Sequence, residues 1–119
     1  MPIKFSNDKP IFIQLSELIK NDIISGKFKP TEKLPTVREF AFTYAINPNT
    51  VQKALQLLEE ENLIKTDSTN GKFVSDNQKQ LSEQKNNTIQ NEVKTFITKM
   101  QQLGLTIDEI KQLINKQGE

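Results

Sequence analysis

From Leu34 to Glu61 the apolar and polar positions of the chain separate onto opposite faces. Val51, Ala54, Leu55 and Leu58 recur at i, i+3, i+4 and i+7, the spacing that lines one side of an α-helix. Asn49, Gln52, Lys53 and Gln56 repeat that spacing two positions earlier, about 200° around the helix, so they lie nearly opposite. Asn47 suits the N-cap and Pro48 the first helical position. Just before this helix, Thr36 and Glu39 have the spacing of a capping box, and Val37, Phe40, Ala41 and Tyr44 supply a short apolar face. Two helices joined by a tight turn are predicted.

The flanking segments follow the same logic. Met1 to Lys9 read as a polar, loosely held arm. Pro10 suits the first turn of a helix with Ile11, Leu15, Leu18, Ile19 and Ile23 on one face, ended by Ser25 and Gly26. Lys27 to Lys33 form a connection, and Leu34 is expected as a very short strand. After an αL stop at Asn62, Leu63 to Thr66 and Lys72 to Val74 read as two strands around the turn-forming DSTNG, with Asn70-Gly71 as a hairpin signal. Ile64 and Phe73 are expected to pack back on the helices, because an isolated hairpin is marginal. Three helices and a small hairpin make a winged helix-turn-helix, assigned to residues 1–76.

Residues 77–119 are assigned to a linker and a two-helix tail. Ser75 to Thr88 contain little apolar material and suit a linker or an exposed helix start. Ile89, Val93, Phe96, Ile97, Met100 and Leu103 then keep a helical period up to Gly104. Thr106 and Glu109 make a second capping box, opening a helix with Ile107, Ile110, Leu113 and Ile114 on its inner side. Two short helices with one apolar face each need a partner. The same hairpin of a second subunit would give a two-fold dimer; packing onto the chain's own head and a coiled-coil-like seam with another protein are the alternatives. The expected class is mainly α: a winged helix-turn-helix followed by a dimerisation hairpin.

Composition narrows the chemistry. The 119 residues contain no cysteine and no histidine, which removes thiol nucleophiles, disulfides, the usual zinc sites and the commonest general base. No carboxylate pair is set up for catalysis, so neither an enzyme nor a cofactor is expected. The absence of a membrane-length apolar run or a leader pattern predicts a cytoplasmic protein. The net charge is only +1, so a nucleic-acid surface has to come from how charge is distributed. Lys33, Arg38, Lys53, Lys65 and Lys72 surround the polar face, with Glu59, Glu60 and Glu61 at its far end as a solvated run. Asn and Gln can pair with adenine edges and Lys with guanine or phosphate, so the low-charge face has the chemistry of a base reader. The competing reading is an ordinary solvated face, with Arg38 in a structural pair with Glu39 or Glu59, Thr50 adding only to the cap, and Phe42 and Tyr44 in the core or at its rim.

Several co-ordered segments carry a resemblance: Pro10-Ile11-Phe12-Ile13-Gln14, Gly26-Lys27-Phe28-Lys29-Pro30, Lys33-Leu34-Pro35-Thr36-Val37-Arg38-Glu39, Asn49-Thr50-Val51-Gln52-Lys53-Ala54-Leu55 and Gly71-Lys72-Phe73-Val74. Over roughly residues 10–75 the chain resembles the DNA-binding domain of GntR-type bacterial transcription regulators, and its short tail is similar to the YtrA-like branch. The resemblance implies that Arg38 and the segment Asn47 to Lys53 face DNA, with the wing at Asn70, Gly71 and Lys72 reaching the minor groove or phosphates. Thr31 and Asn62 stand where the family usually has glycine, and Thr36 where it has serine. The arginine common before the wing glycine is missing. On this reading a homodimer binds an inverted-repeat operator in double-stranded DNA. Asn49, Gln52 and Lys53 read bases, Gln56 extends the stripe, Arg38 reads guanine or clamps phosphate, and Lys33, Thr36, Thr50 and Lys72 serve the backbone. An adaptor that binds protein through its winged domain is the alternative function. No small-molecule effector is specified.

Overall fold

The computed structural model describes residues 4–118; the first three residues of the expected N-terminal arm lie outside the described residues. The chain forms α1 (Ile11–Ile24), α2 (Val37–Tyr44), α3 (Pro48–Glu60), β1 (Ile64–Asp67), β2 (Gly71–Val74), α4 (Gln78–Gln102) and α5 (Ile107–Gln117). It divides into two compact units, Met1–Ser82 and Glu83–Glu119.

The core of the first unit is built from the periodic apolar positions. Leu15, Ile19 and Ile23 of α1 meet Val51, Ala54, Leu55 and Leu58 of α3, joined by Leu34, Phe40, Leu63, Ile64, Val74 and Leu81. Ile11, expected on the inner face of α1, stays exposed. It is the first residue of the helix, one position after the N-cap Pro10. Residues 5–9 are anchored to the first unit rather than loosely held. Gln14 Nε2 donates to the carbonyls of Ser6 and Lys9, both at 2.8 Å, and Phe5 meets Tyr44 edge-on at 6.4 Å.

The capping box that opens α2 forms as the spacing predicts: Glu39 N donates to Thr36 Oγ1 at 3.1 Å and Thr36 N to Glu39 Oε1 at 3.0 Å. The turn into α3 passes through Ala45 in the left-handed region (φ 55°), a role the sequence does not advertise. Asn47 Oδ1 then accepts from Asn49 N at 2.8 Å as the N-cap of α3. Thr31 (φ 67°) and Asn62 (φ 62°) adopt the left-handed conformation at the two positions where the family pattern has glycine.

β1 and β2 pair antiparallel, Ile64 with Val74 through Asp67 with Gly71. Three residues therefore connect the strands, not the two of a tight Asn-Gly turn. Asp67 Oδ1 accepts from the backbone N–H of Thr69 (2.9 Å) and Asn70 (3.3 Å), shaping the loop so that Gly71 takes the positive φ of 103°. The short strand expected at Leu34 is a single bridge one residue earlier, Lys33 with Phe73. Thr31 N to Val74 O, Val74 N to Glu32 O and Leu34 N to Lys72 O complete the pairing, so β2 is flanked on both sides. This third segment supports a hairpin that would be marginal alone. Ile64 and Val74 point into the core, whereas Phe73 is only half-buried.

Ser75 to Thr88 contain no extended linker, because α4 begins at Gln78. Asn77 Oδ1 accepts from Gln80 N at 3.1 Å, and Leu81 plugs into the first unit's core.

In the second unit, the chain leaves α4 through Gly104 (φ 97°) and enters α5 through the Thr106–Glu109 capping box. Of the positions expected to pair subunits, Ile110 is buried and Ile97 and Met100 are half-buried. Ile89, Val93, Phe96, Leu103, Ile107, Leu113 and Ile114 are exposed on the single chain.

Candidate nucleic-acid interface

The amphipathic pattern of α3 becomes a physical surface. With Val51, Ala54, Leu55 and Leu58 inward, Asn49, Gln52, Lys53 and Gln56 are all exposed. Among the described residues the side-chain amides of Asn49, Gln52 and Gln56 make no hydrogen bond, leaving their donors and acceptors open to a partner. Lys53 places its ammonium 5.9 Å from the centre of the Phe12 ring, at cation–π distance. Thr50 is half-buried, and Asn47 is occupied with capping.

A second group gathers where the start of α2 meets the wing. Lys33, Thr36, Gly71 and Lys72, with Leu34, Pro35 and Val37, line one hollow of about 160 Å³. Arg38 projects from the first turn of α2 into solvent, beside Glu39, Phe42 and Thr43. The structural pairing considered for Arg38 does not form. Glu39 is committed to its capping box, where the Thr36 N–H, then its hydroxyl, hold the carboxyl below the ordinary glutamate range. Glu59 is engaged elsewhere: its carboxylate accepts from Lys72 Nζ and Thr66 Oγ1.

The cations sort accordingly. Among the described residues Lys33, Arg38 and Lys53 enter no ion pair, whereas Lys72 is bound to Glu59, Lys65 to Asp76 (2.9 Å) and Lys20 to Glu61 (3.4 Å). The Glu59 to Glu61 run is therefore not simply solvated; two of its three carboxylates anchor lysines from β2 and α1. In the wing, Asn70 is tied to Asp67 through both its backbone and its side chain.

Phe42, expected in the core or at its rim, is 90% exposed, because it lies off the Val37, Phe40, Ala41, Tyr44 face and one turn beyond Arg38. That i+4 relation to Arg38 was the available signal. Tyr44 does pack, stacked on Phe40 with ring centres 6.3 Å apart. Among the described residues no group of three or more His, Cys, Asp or Glu could hold a metal, and no helix is long and apolar enough to cross a membrane.

The gntR family of bacterial regulatory proteins matches residues 13–74, which run from α1 through the wing. The chain belongs to the GntR family. It is 35% identical to the HTH-type transcriptional repressor YtrA of Bacillus subtilis (strain 168), over 90% of this chain and 83% of the relative. A GntR family transcriptional regulator from Listeria monocytogenes superposes with a TM-score of 0.88 at 30% identity, covering 94% of this chain and 98% of that one. The DNA-binding domain of AraR, solved in complex with operator ORR3, matches with a TM-score of 0.56 at 28% identity, over 63% of this chain and 90% of that one. The likeness to YtrA extends beyond the head into the tail, as the resemblance to the YtrA-like branch implies. As a GntR protein the chain is a DNA-binding transcriptional regulator, not an enzyme.

Proposed function

We propose that this GntR protein is a homodimeric, cytoplasmic repressor of an inverted-repeat operator. The head, residues 1–76, binds DNA, and residues 77–119 carry the dimerising tail. The observation that carries the reading is the amide face of α3: among the described residues, Asn49, Gln52 and Gln56 are exposed with no side-chain hydrogen-bond partner, next to a lysine that enters no ion pair. Asn49, Gln52 and Lys53 read base edges in the major groove, with Gln56 at the far end of the stripe. Arg38 contacts guanine or clamps phosphate, while Lys33, Thr36, Thr50 and the capped start of α3 at Asn47 set the register on the backbone. The wing, Asn70 to Lys72, approaches the sugar-phosphate chain.

The exposed apolar stripe of α4 and α5 is the reason to invoke a second copy, and two-fold symmetry would present two heads to successive major grooves about 34 Å apart. The repressor name of YtrA and the operator-bound AraR domain support the direction of regulation and the ligand class. Repression follows from occupying a site that overlaps a promoter.

Selection of bound duplexes from random DNA with the full-length protein tests the proposal. The expected product is an inverted repeat with half-sites one helical turn apart, and recovery of no enriched duplex overturns it. The near-neutral charge keeps the protein-binding adaptor as the alternative. A salt titration separates them, because phosphate contacts make affinity fall steeply with salt.

A further inference from the structure

The wing and the recognition helix are joined by a polar clamp that the family match does not assign. Thr66 and Lys72 are cross-strand partners in the hairpin, and Lys72 Nζ donates to Thr66 Oγ1 at 2.9 Å. Glu59, in the last turn of α3, reaches across and accepts from both. Neither charged partner is freely solvated: the Lys72 side chain is 27% exposed and that of Glu59 34%. The Lys72 ammonium, then the Thr66 hydroxyl, hold the Glu59 carboxyl below its ordinary range, consistent with a carboxylate whose charged form is engaged. The second wing lysine, Lys65, is held by Asp76. Both wing cations thus have an ion-pair partner within the fold, the Lys72 pair partly shielded and the Lys65 pair open to solvent, whereas among the described residues Lys33, Arg38 and Lys53 have none.

We propose that Glu59 is a positioning residue for DNA specificity: by gripping Lys72 and Thr66 it sets the angle of the wing on α3 and withholds the Lys72 ammonium from phosphates. The proposal rests on the DNA-binding reading and deepens it. A free lysine at the wing would bind any duplex, since phosphate attraction carries no sequence information. With Lys72 internally satisfied, the wing's main chain can follow the backbone while discrimination stays with α2 and α3. The apolar pair Ile64 and Val74 fixes the base of the hairpin, and the Glu59 clamp ties its polar middle to the helix.

The test uses the full-length protein, the duplex enriched by the wild type, and a scrambled duplex of equal length. Glu59→Gln keeps the shape and removes the charge. Release of Lys72 then adds about one neutralised phosphate per head, steepening the log–log salt dependence by about 0.9 per head. Affinity for the scrambled duplex rises, and the ratio of selected to scrambled affinity falls about tenfold, a difference of roughly 1.4 kcal/mol. Lys72→Met keeps the wild-type salt slope, because its ammonium was not on a phosphate. The exchanged pair, Glu59→Lys with Lys72→Glu, regains most of the specificity ratio, which a general loss of stability would not allow.

An unchanged slope and ratio in Glu59→Gln overturns the proposal, as does a Lys72→Met slope shallower by about 0.9 per head. Circular dichroism on each variant excludes unfolding as the cause. Failure of the wild type to bind any duplex would instead strike the DNA-binding reading itself.

Discussion

Phe96→Asp on α4 is the sharpest test of the proposed two-fold assembly. Phe96 shares one helix face with Ile89 and Val93 at i, i+4 and i+7 spacing, and 43% of it is exposed on the single chain. Burying a whole Phe side chain is worth about 3 kcal/mol, so about 1 kcal/mol per subunit remains to be gained on association. Two-fold symmetry doubles that to about 2 kcal/mol. Aspartate also asks each subunit to desolvate a carboxylate against apolar neighbours, at a further cost of about 1 kcal/mol or more per copy. The total of roughly 4 kcal/mol raises the dimer dissociation constant about 1,000-fold. Sedimentation equilibrium at micromolar protein should then show a monomer for Phe96→Asp and a dimer for wild type. Lys94→Asp, on the polar side of α4 among Thr95, Thr98 and Lys99, should remain dimeric. Helical circular dichroism of Phe96→Asp close to that of wild type would show that the hairpin itself still folds. A Phe96→Asp protein that sediments as a dimer with wild-type affinity refutes the assembly through this face.

Arg38→Ala should weaken binding to the selected duplex by about 1–3 kcal/mol in a gel-shift titration, with an unchanged melting temperature; unaltered affinity removes Arg38 from the interface. Lys53→Ala should cost a similar 1–3 kcal/mol in binding, while Phe12→Leu, which removes only the ring beneath Lys53, should cost binding no more than about 1 kcal/mol. Equal losses would mean that the cation–π contact, not the ammonium, is what matters. Thr31→Gly should raise stability by up to about 1 kcal/mol, relieving about 1–2 kcal/mol of left-handed strain against the extra flexibility of glycine. A fall in the thermal midpoint would show that Thr31 is unstrained at its φ of 67°. Acid titration of stability has a definite sign. Glu59, Asp67 and Asp76 all have folded-state values held low, by Lys72, the Thr69 N–H and Lys65 respectively, so their contribution is present above the ordinary carboxylate range and is lost as pH falls through the lowered values. Glu59→Gln should flatten part of that decline in a series of melts, and an identical pH profile would mean that the clamp adds nothing to folding.

Much of this molecule is legible from one dimension because it is local. The inward face of α3, both capping boxes, the Asn47 cap and the left-handed stop at Asn62 depend on residues within a turn of one another, where spacing and side-chain chemistry decide the outcome. Local spacing also put Asn49, Gln52, Lys53 and Gln56 on the outward face of α3, since a helix that buries one stripe must expose the opposite one. It could not say which cation meets which anion. Lys72 finds Glu59 across 13 residues of chain, and that pairing exists only because the hairpin folds back on the end of α3. The Lys33–Phe73 bridge, the Phe5–Tyr44 contact and the three-residue wing loop likewise arise from the route of the chain. Phe42 marks the same boundary: composition argues for burying an aromatic ring, and its angular position on α2 leaves it in solvent. Periodicity determines which side of an element turns inward; only packing decides which distant groups then share a charge.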